Sequence, residues 1–354
     1  MAERPLVDVH HIGLGETGNE TWSRNVARVL EQDGGPAVDY AATIHASTYL
    51  PADRLHIVGG SSARRLALEL PALVRRLRPS VVLTQYTLPV VRVPGVVAVH
   101  DISFVLREAR SWIPSKTLLR LRATIGLSVR QAHAVLVPTE YTRVQLLSHY
   151  DVPEERVLLA PLAVDPALAA GLAAPSRGGR TATVLCVGTV LPRKNLPTVA
   201  AAVARLRAEG SDVRLRLVGP VRPPGEADLA RMQAMLGDGL EVAGGVSPAQ
   251  LASEYQYAGV LAYPSLHEGF GLPLLEAMAA GVPVVSSNTT CLPEVAGDAA
   301  LLVDPRDVAG WVEALRTALD AGDSLVTAGR ERVKAFSWER TGQVVRQALE
   351  SAAG

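Results

Sequence analysis

Two glutamates, Glu268 and Glu276, stand eight residues apart in the stretch HEGFGLPLLEAMAAG, residues 267–281. Between them Gly269, Phe270 and Gly271 run into Leu272-Pro273 and a helix-forming segment. Proline suits the first turn of a helix, because the amide it lacks would have no partner there. The loop therefore brings free backbone amides and the positive end of a helix dipole to one point, which suits an anion. Glu276 is the only charged side chain between Gly269 and Asn288. A lone carboxylate in so apolar a segment is costly to bury without polar partners. A buried helix with a glutamate that satisfies its dipole would explain the same residues.

Further constellations follow the same logic. In VGTVLPRKNLPTVAAAV, residues 187–203, an apolar strand ends at Gly188 and a helix begins after Asn195. Arg193 and Lys194 sit side by side in the loop between them. Two cations beside a helix N-terminus suit a diphosphate, the guanidinium as a fork and the ammonium as a point charge. Only three of the 35 basic residues are lysines, Lys116, Lys194 and Lys334, so a lysine here reads as chosen for its compact charge. In VVAVHDISF, residues 96–104, His100 and Asp101 fall at the C-terminal end of a strand, where open α/β sheets place ligands. A capping aspartate with a structural histidine beside it is the alternative. Val218-Gly219-Pro220 closes another strand as a plain turn or as part of a nucleotide site. His10, His11, His45 and His56 show no partner spacing.

The motif GLGETG, residues 13–18, follows a strand, opens a helix and fits G-x-G-x-x-G, with Asp39 downstream. By pattern this is a dinucleotide fingerprint, and an NAD(P)-dependent oxidoreductase is the rival reading from another class. The segment around Asp39 is a poor second strand, however. Its acid precedes the apolar run, where a ribose-binding acid ends it. Gly15 and Gly18 read as a phosphate-approaching loop, with a tight turn and no ligand as the alternative.

The elements that must position these residues are short apolar runs alternating with helical segments. That alternation predicts α/β architecture with mainly parallel sheets covered on both faces. It runs from Leu6–Ile12 to Val157–Leu159 and restarts at Thr183–Val187 after the breaker-rich GLAAPSRGGR, 171–180. With 354 residues, two domains are expected. The predicted boundaries are 1–172, 180–336 and a final helical segment, 337–354. A formal net charge of zero gives no bulk attraction to nucleic acid. No signal peptide, membrane span or metal-ligand cluster is visible. Cys186 and Cys291 read as core or loop-edge residues, which points to a reducing, cytoplasmic compartment. From Arg107 to Arg130 six bases face one acid, with Trp112 and leucines interleaved. This is either a basic amphipathic face for peripheral contact with the inner face of a membrane or a solvated helix.

The spacing from Glu268 to Glu276, the EGFGLP between them and the segment G-T-x-x-P-R-K-N resemble glycosyltransferase family 4, group 1. These are retaining enzymes with two Rossmann-like domains facing across a cleft, the GT-B architecture. The resemblance extends to the His100-Asp101 pair, the Val218-Gly219 turn and PEV-GDAALLVDP near Glu294. It implies an N-terminal acceptor-binding domain, a C-terminal nucleotide-sugar domain and a last helix crossing back to the first. It implies catalytic roles for His100, Arg193, Lys194 and Glu268, with His100 donating a hydrogen bond to a sugar hydroxyl or steering the acceptor. Donor-binding roles fall to Gly15, Gly18, Gly188, Gly219, Gly269, Phe270, Gly271, Leu272 and Glu276. The implied substrate is a GDP- or UDP-linked sugar, with a lean to GDP-mannose, transferred to a sugar or lipid-linked acceptor without cofactor or metal. An epimerase of the same architecture would need no acceptor.

Overall fold

The computed structural model describes residues 4–15, 17–32, 34–35, 37–59, 61–106, 108–172, 181–320 and 323–354. Contacts divide the chain into two units, residues 1–162 with 337–354, and residues 163–336.

The first unit is built on seven parallel strands: β1 Leu6–Asp8, β2 Asp39–Ala42, β3 Leu55–Ile57, β4 Val82–Gln85, β5 Gly95–Ala98, β6 Ala134–Val137 and β7 Val157–Leu159. Their order is β3-β2-β1-β4-β5-β6-β7. Runs such as Gly95–Ala98 and Ala134–Val137 are buried throughout, as strands covered on both faces must be. The segment around Asp39 does form a strand, against the sequence reading. Its register, Leu6 opposite Asp39 and Tyr40 opposite Leu55, sets it between two neighbours that supply the pairing its composition does not advertise. The final helix, Trp338–Ala353, packs on the helix Thr17–Gln32 and on β5 and β6.

The second unit has six parallel strands: β8 Thr183–Val187, β9 Arg214–Val218, β10 Leu240–Gly244, β11 Val260–Tyr263, β12 Val284–Ser287 and β13 Leu301–Val303. Their order is β10-β9-β8-β11-β12-β13. Its core gathers Val199, Val203, Leu215, Val260, Trp311 and Leu315. Helix Pro166–Leu172 belongs here, not with residues 1–162, so the division precedes the expected end of the first domain at 172. It lies along helix Pro248–Tyr257, and Gln256 Nε2 donates to the Gly171 carbonyl at 2.9 Å. Most of the segment read as a linker, residues 173–180, lies outside the described residues.

Candidate active site

In each sheet the strand order reverses beside the first strand. Open parallel sheets bind ligands at the carboxyl ends of the strands flanking such a reversal. In the second unit those strands are β8 and β11.

After β8 the chain passes through Gly188 and a short 3-10 turn, Pro192–Lys194, to a left-handed Asn195 that opens helix Leu196–Ala208. Asn195 pins the turn: its Nδ2 donates to the carbonyls of Pro264 at 3.2 Å and Pro305 at 2.6 Å. Gly188 and Gly219 hold φ near +132° and +143°. A Cβ on Gly219 would lie 2.2 Å from the Gly188 carbonyl oxygen, so the two turns meet only because one of them is glycine.

The loop after β11 meets this turn directly. Leu266 N donates to the Arg193 carbonyl at 2.8 Å. Arg193 Nη1 donates to the His267 carbonyl at 3.0 Å and to Glu268 Oε2 at 3.1 Å. Lys194 Nζ donates to Glu268 Oε1 at 2.6 Å and to the Tyr263 hydroxyl at 2.7 Å. The ammonium also lies 4.7 Å from the centroid of the Tyr263 ring. Lys194 and Glu268 are buried, at 8% and 7% exposure. Burial alone would push the Glu268 carboxyl up. The charges of Lys194 and Arg193, with hydrogen bonds from Lys194 and Ser265, more than offset it and hold the group down at about 2. Glu268 is therefore a carboxylate clamped between two cations, a set that carries one net positive charge before any ligand arrives.

Gly271, at φ near +94°, opens helix Leu272–Ala279 with Pro273 in its first turn. Cys291 Sγ donates to the Glu268 carbonyl at 3.2 Å. Both cysteines are buried. The Phe270 ring is spent on packing: it meets Phe336 edge-on at 5.7 Å. Glu276 accepts a 2.6 Å hydrogen bond at Oε2 from the Tyr255 hydroxyl, which comes from helix Pro248–Tyr257. Burial pushes Glu276 up to about 7; the Tyr255 hydrogen bond opposes the rise and Asp165 adds to it. Asp165 itself caps helix Pro166–Leu172, accepting from Ala167 N at 2.9 Å. So Arg193, Lys194, Glu268, Gly188, Gly219, Gly269, Gly271, Leu272 and Glu276 share one end of one sheet. Tyr255, Tyr263 and Asp165 join them and went unread in the sequence.

In the first unit, the loop 13–18 behaves differently from a ready anion cradle. Gly13 N and Gly15 N donate to the two carboxylate oxygens of Glu20 at 3.0 and 2.9 Å. Gly18 lies in the first turn of the helix with open space at its Cβ position, and Glu16 lies outside the described residues. Asp39 sits at the start of β2 and pairs with His56 at 3.1 Å, at the far end of the strand from the ligand edge. The ribose-binding acid of an oxidoreductase is absent from its place.

His100 follows β5, partly buried between Trp22 and Tyr86, with ring centroids at 5.2 and 5.7 Å. One ring nitrogen, Nε2, lies 3.1 Å from Gln85 Oε1. Gln85 Nε2 faces Ser23 Oγ at 2.6 Å and the Asn19 carbonyl at 3.4 Å. A carbonyl can only accept, so the amide nitrogen points there and the amide oxygen points at the histidine. Burial, reinforced by His11 and weakly opposed by Asp101, lowers His100 to about 3. The ring is neutral with its hydrogen on Nε2, and Nδ1 is the nitrogen left to a ligand. Nδ1 of His100 therefore carries the ring's lone pair, a hydrogen-bond acceptor. Asp101 caps the following turn, accepting from Ser103 N and Oγ. His10, which carried no partner spacing, is held by buried Asp8 at 3.1 Å, and Asp8 also takes Arg65 Nε at 3.0 Å.

The basic segment 107–130 divides. Arg107 lies outside the described residues. Arg122 donates to the carbonyls of Phe104 and Val105 at 2.8 and 3.1 Å, and Arg130 stacks over Tyr150 at 5.7 Å. Arg110, Lys116 and Arg120 remain exposed, with Leu119 at 72%. Among the described residues no helix is long and apolar enough to cross a membrane.

Compared with known families, residues 174–333 match glycosyl transferases group 1 and residues 26–168 match Glycosyltransferase Family 4. The O-antigen chain mannosyltransferase B of Escherichia coli is 31% identical over 258 residues, which cover 69% of this chain and 67% of that enzyme. This chain belongs to the family 4, group 1 glycosyltransferases. Another member, the MMP alpha-(1->4)-mannosyltransferase of Mycolicibacterium hassiacum, is 34% identical over 218 residues, 59% of this chain. The chain spans 52% of that relative's length. Among solved structures, sucrose-phosphate synthase from Thermosynechococcus elongatus superposes with a TM-score of 0.75 at 22% identity, covering 97% of this chain and 98% of that one. A glycosyltransferase from Rickettsia africae gives 0.76 at 13% identity, covering 99% of each chain. These likenesses show the fold: two Rossmann-like domains of the GT-B class. Family membership, together with the position of Asp39 and the glycine amides already taken by Glu20, overturns the oxidoreductase reading.

Proposed function

We propose that this glycosyltransferase moves a hexose from a nucleoside diphosphate sugar to an acceptor hydroxyl with retention of anomeric configuration. The observation that carries the reading is the clamp of Arg193 and Lys194 around Glu268, beside the N-terminus of helix Leu272–Ala279. Breaking the anomeric C–O bond leaves negative charge on the diphosphate. Two preorganised cations and the loop amides at 269–271 stabilise that charge without moving, which is the electrostatic form of catalysis. They supply the countercharge that a metal supplies elsewhere, so the proposed reaction needs none. Glu268 meets hydroxyls of the donor sugar, and Glu276 binds the ribose.

The acceptor oxygen bonds to the anomeric carbon on the face that the diphosphate leaves. Its proton passes to a departing phosphate oxygen, so no side chain has to act as base. His100, neutral at any physiological pH, accepts a hydrogen bond and does not abstract a proton. The mannosyltransferase names of two relatives favour mannose, and we take GDP-mannose as the first donor to test. The acceptor is a sugar or lipid-linked hydroxyl. An epimerase would turn over its nucleotide sugar with no acceptor and release an altered sugar nucleotide. A screen of nucleotide sugars with product analysis separates the two: transfer or slow hydrolysis supports the proposal, and an isomerised sugar nucleotide defeats it.

A further inference from the structure

We infer that Tyr255 is a positioning residue for Glu276: its hydroxyl holds Oε2 so that Oε1 is presented, as a carboxylate, to the ribose of the nucleotide. The inference rests on the ribose assignment of Glu276 made above and adds a residue and a proton linkage to it. Tyr255 is fully buried, and its hydroxyl lies 2.6 Å from Glu276 Oε2. A buried phenol spends its one hydrogen on a single acceptor, and a carboxylate is the better acceptor when charged. A free carboxylate rotates between geometries. One bonded at Oε2 and carried on a helix has one oxygen left, in a fixed direction, for two adjacent hydroxyls.

The surroundings make this hold on the charge matter. Burial disfavours the carboxylate, and Asp165 disfavours it further. Tyr255 itself rises well above its ordinary value beside Glu276 and stays a donor. The other elements packed against helix Leu272–Ala279 carry Tyr263 on β11, Glu294 on helix Leu292–Ala296, and Asp323, Arg330, Glu331 and Arg332 on helix Asp323–Val333, while helix Pro166–Leu172 carries no titratable side chain. Tyr263 is engaged by Lys194. Arg330 lies against Gly281, past the helix's C-terminal end. β12 carries no titratable side chain. The Tyr255 hydrogen bond is thus the contact that acts for the charged form of Glu276, and ribose recognition is coupled to its deprotonation near neutral pH.

The test uses the full chain, with GDP and UDP and their 2′,3′-dideoxy counterparts as probes, by calorimetry from pH 6 to 9. The ratio of ribose to dideoxy affinity cancels titration of the phosphates. In the wild type this ratio is expected to rise with pH through a midpoint near neutrality. Tyr255→Phe keeps the ring and its packing, and is expected to move the midpoint up by about one pH unit, so that the ratio at pH 7 falls about five- to tenfold and recovers by pH 9. Asp165→Asn retains the cap and is expected to move the midpoint down. Damage to packing would lower both variants alike at every pH. An unchanged midpoint in Tyr255→Phe overturns the inference. A ribose ratio unaffected by Glu276→Gln overturns the ribose assignment itself, and the inference with it.

Discussion

At the scale of single residues, the site is a set of charges whose protonation is set by neighbours. Lys194→Ala removes one of two cations from a buried carboxylate and from the leaving diphosphate. We expect kcat to fall by about 10²–10³-fold, the range for losing a preorganised donor to developing charge, with the circular dichroism spectrum retained. Steady-state rates at saturating donor check this. Glu268 and Glu276 also bias stability in opposite directions. Glu268, depressed to about 2, contributes stability that is present above its ordinary range near 4.5 and lost as pH falls toward 2. Glu276, raised to about 7, favours the folded state while protonated, and that contribution fades as pH rises from about 4.5 through 7. Urea titrations should find Glu276→Gln gaining on the wild type at pH 8 relative to pH 5. A constant difference between the two pH values would contradict the assignment. His100 offers a spectroscopic check: its ¹⁵N shifts should report a neutral ring protonated at Nε2 down to pH 5, and Gln85→Leu should mix the tautomers.

At the scale of elements, what aligns these residues is the meeting of two turns at the ends of β8 and β9 with the loop after β11. Gly219→Ala places a methyl 2.2 Å from the Gly188 carbonyl at a positive φ. We expect about 2–4 kcal/mol of destabilisation from strain and displacement, read as a lowered Tm, together with weakened nucleotide binding because the Arg193-Lys194 turn moves. Much of this site was legible in the sequence because its parts are local. The Pro192–Asn195 turn and the glycines at 269–271 are each a strand end, a loop and a helix start within a few residues. Their partners were not legible. Tyr255 reaches Glu276 from 21 residues away and from a different helix, and no spacing rule marks such a contact. Glu20 could have been read, since a carboxylate within the first turn of a helix commonly turns back on the amides before it. β2 was hidden because strand formation there depends on its two neighbours more than on its own residues.

At the scale of the whole molecule, strand and helix alternation was enough to give two parallel sheets, because residues covered on both faces must be apolar throughout. The boundary was displaced because Pro166–Leu172, built from alanine, leucine and glycine, carries no mark of which core it joins; helix Pro248–Tyr257 decides it. The last helix closes the first unit, with Trp338, Val345 and Leu349 buried and Arg346 Nη2 donating to the Leu30 carbonyl at 2.9 Å. Deleting residues 338–354 removes three large buried apolar side chains, a loss of about 2 kcal/mol each, and uncovers the apolar surface they pack on. Proteolysis should then cut first within residues 1–162, and cleavage spread evenly over both units would contradict this role. The central claim, donor chemistry at Arg193, Lys194 and Glu268, is tested most directly by following GDP-mannose and other nucleotide sugars by proton NMR without acceptor. We predict slow release of the nucleoside diphosphate from at least one donor, with the free sugar appearing first in the donor's own anomeric form, and loss of that release in Lys194→Ala. No turnover of any nucleotide sugar, a sugar of inverted configuration or undiminished release by Lys194→Ala would contradict the account.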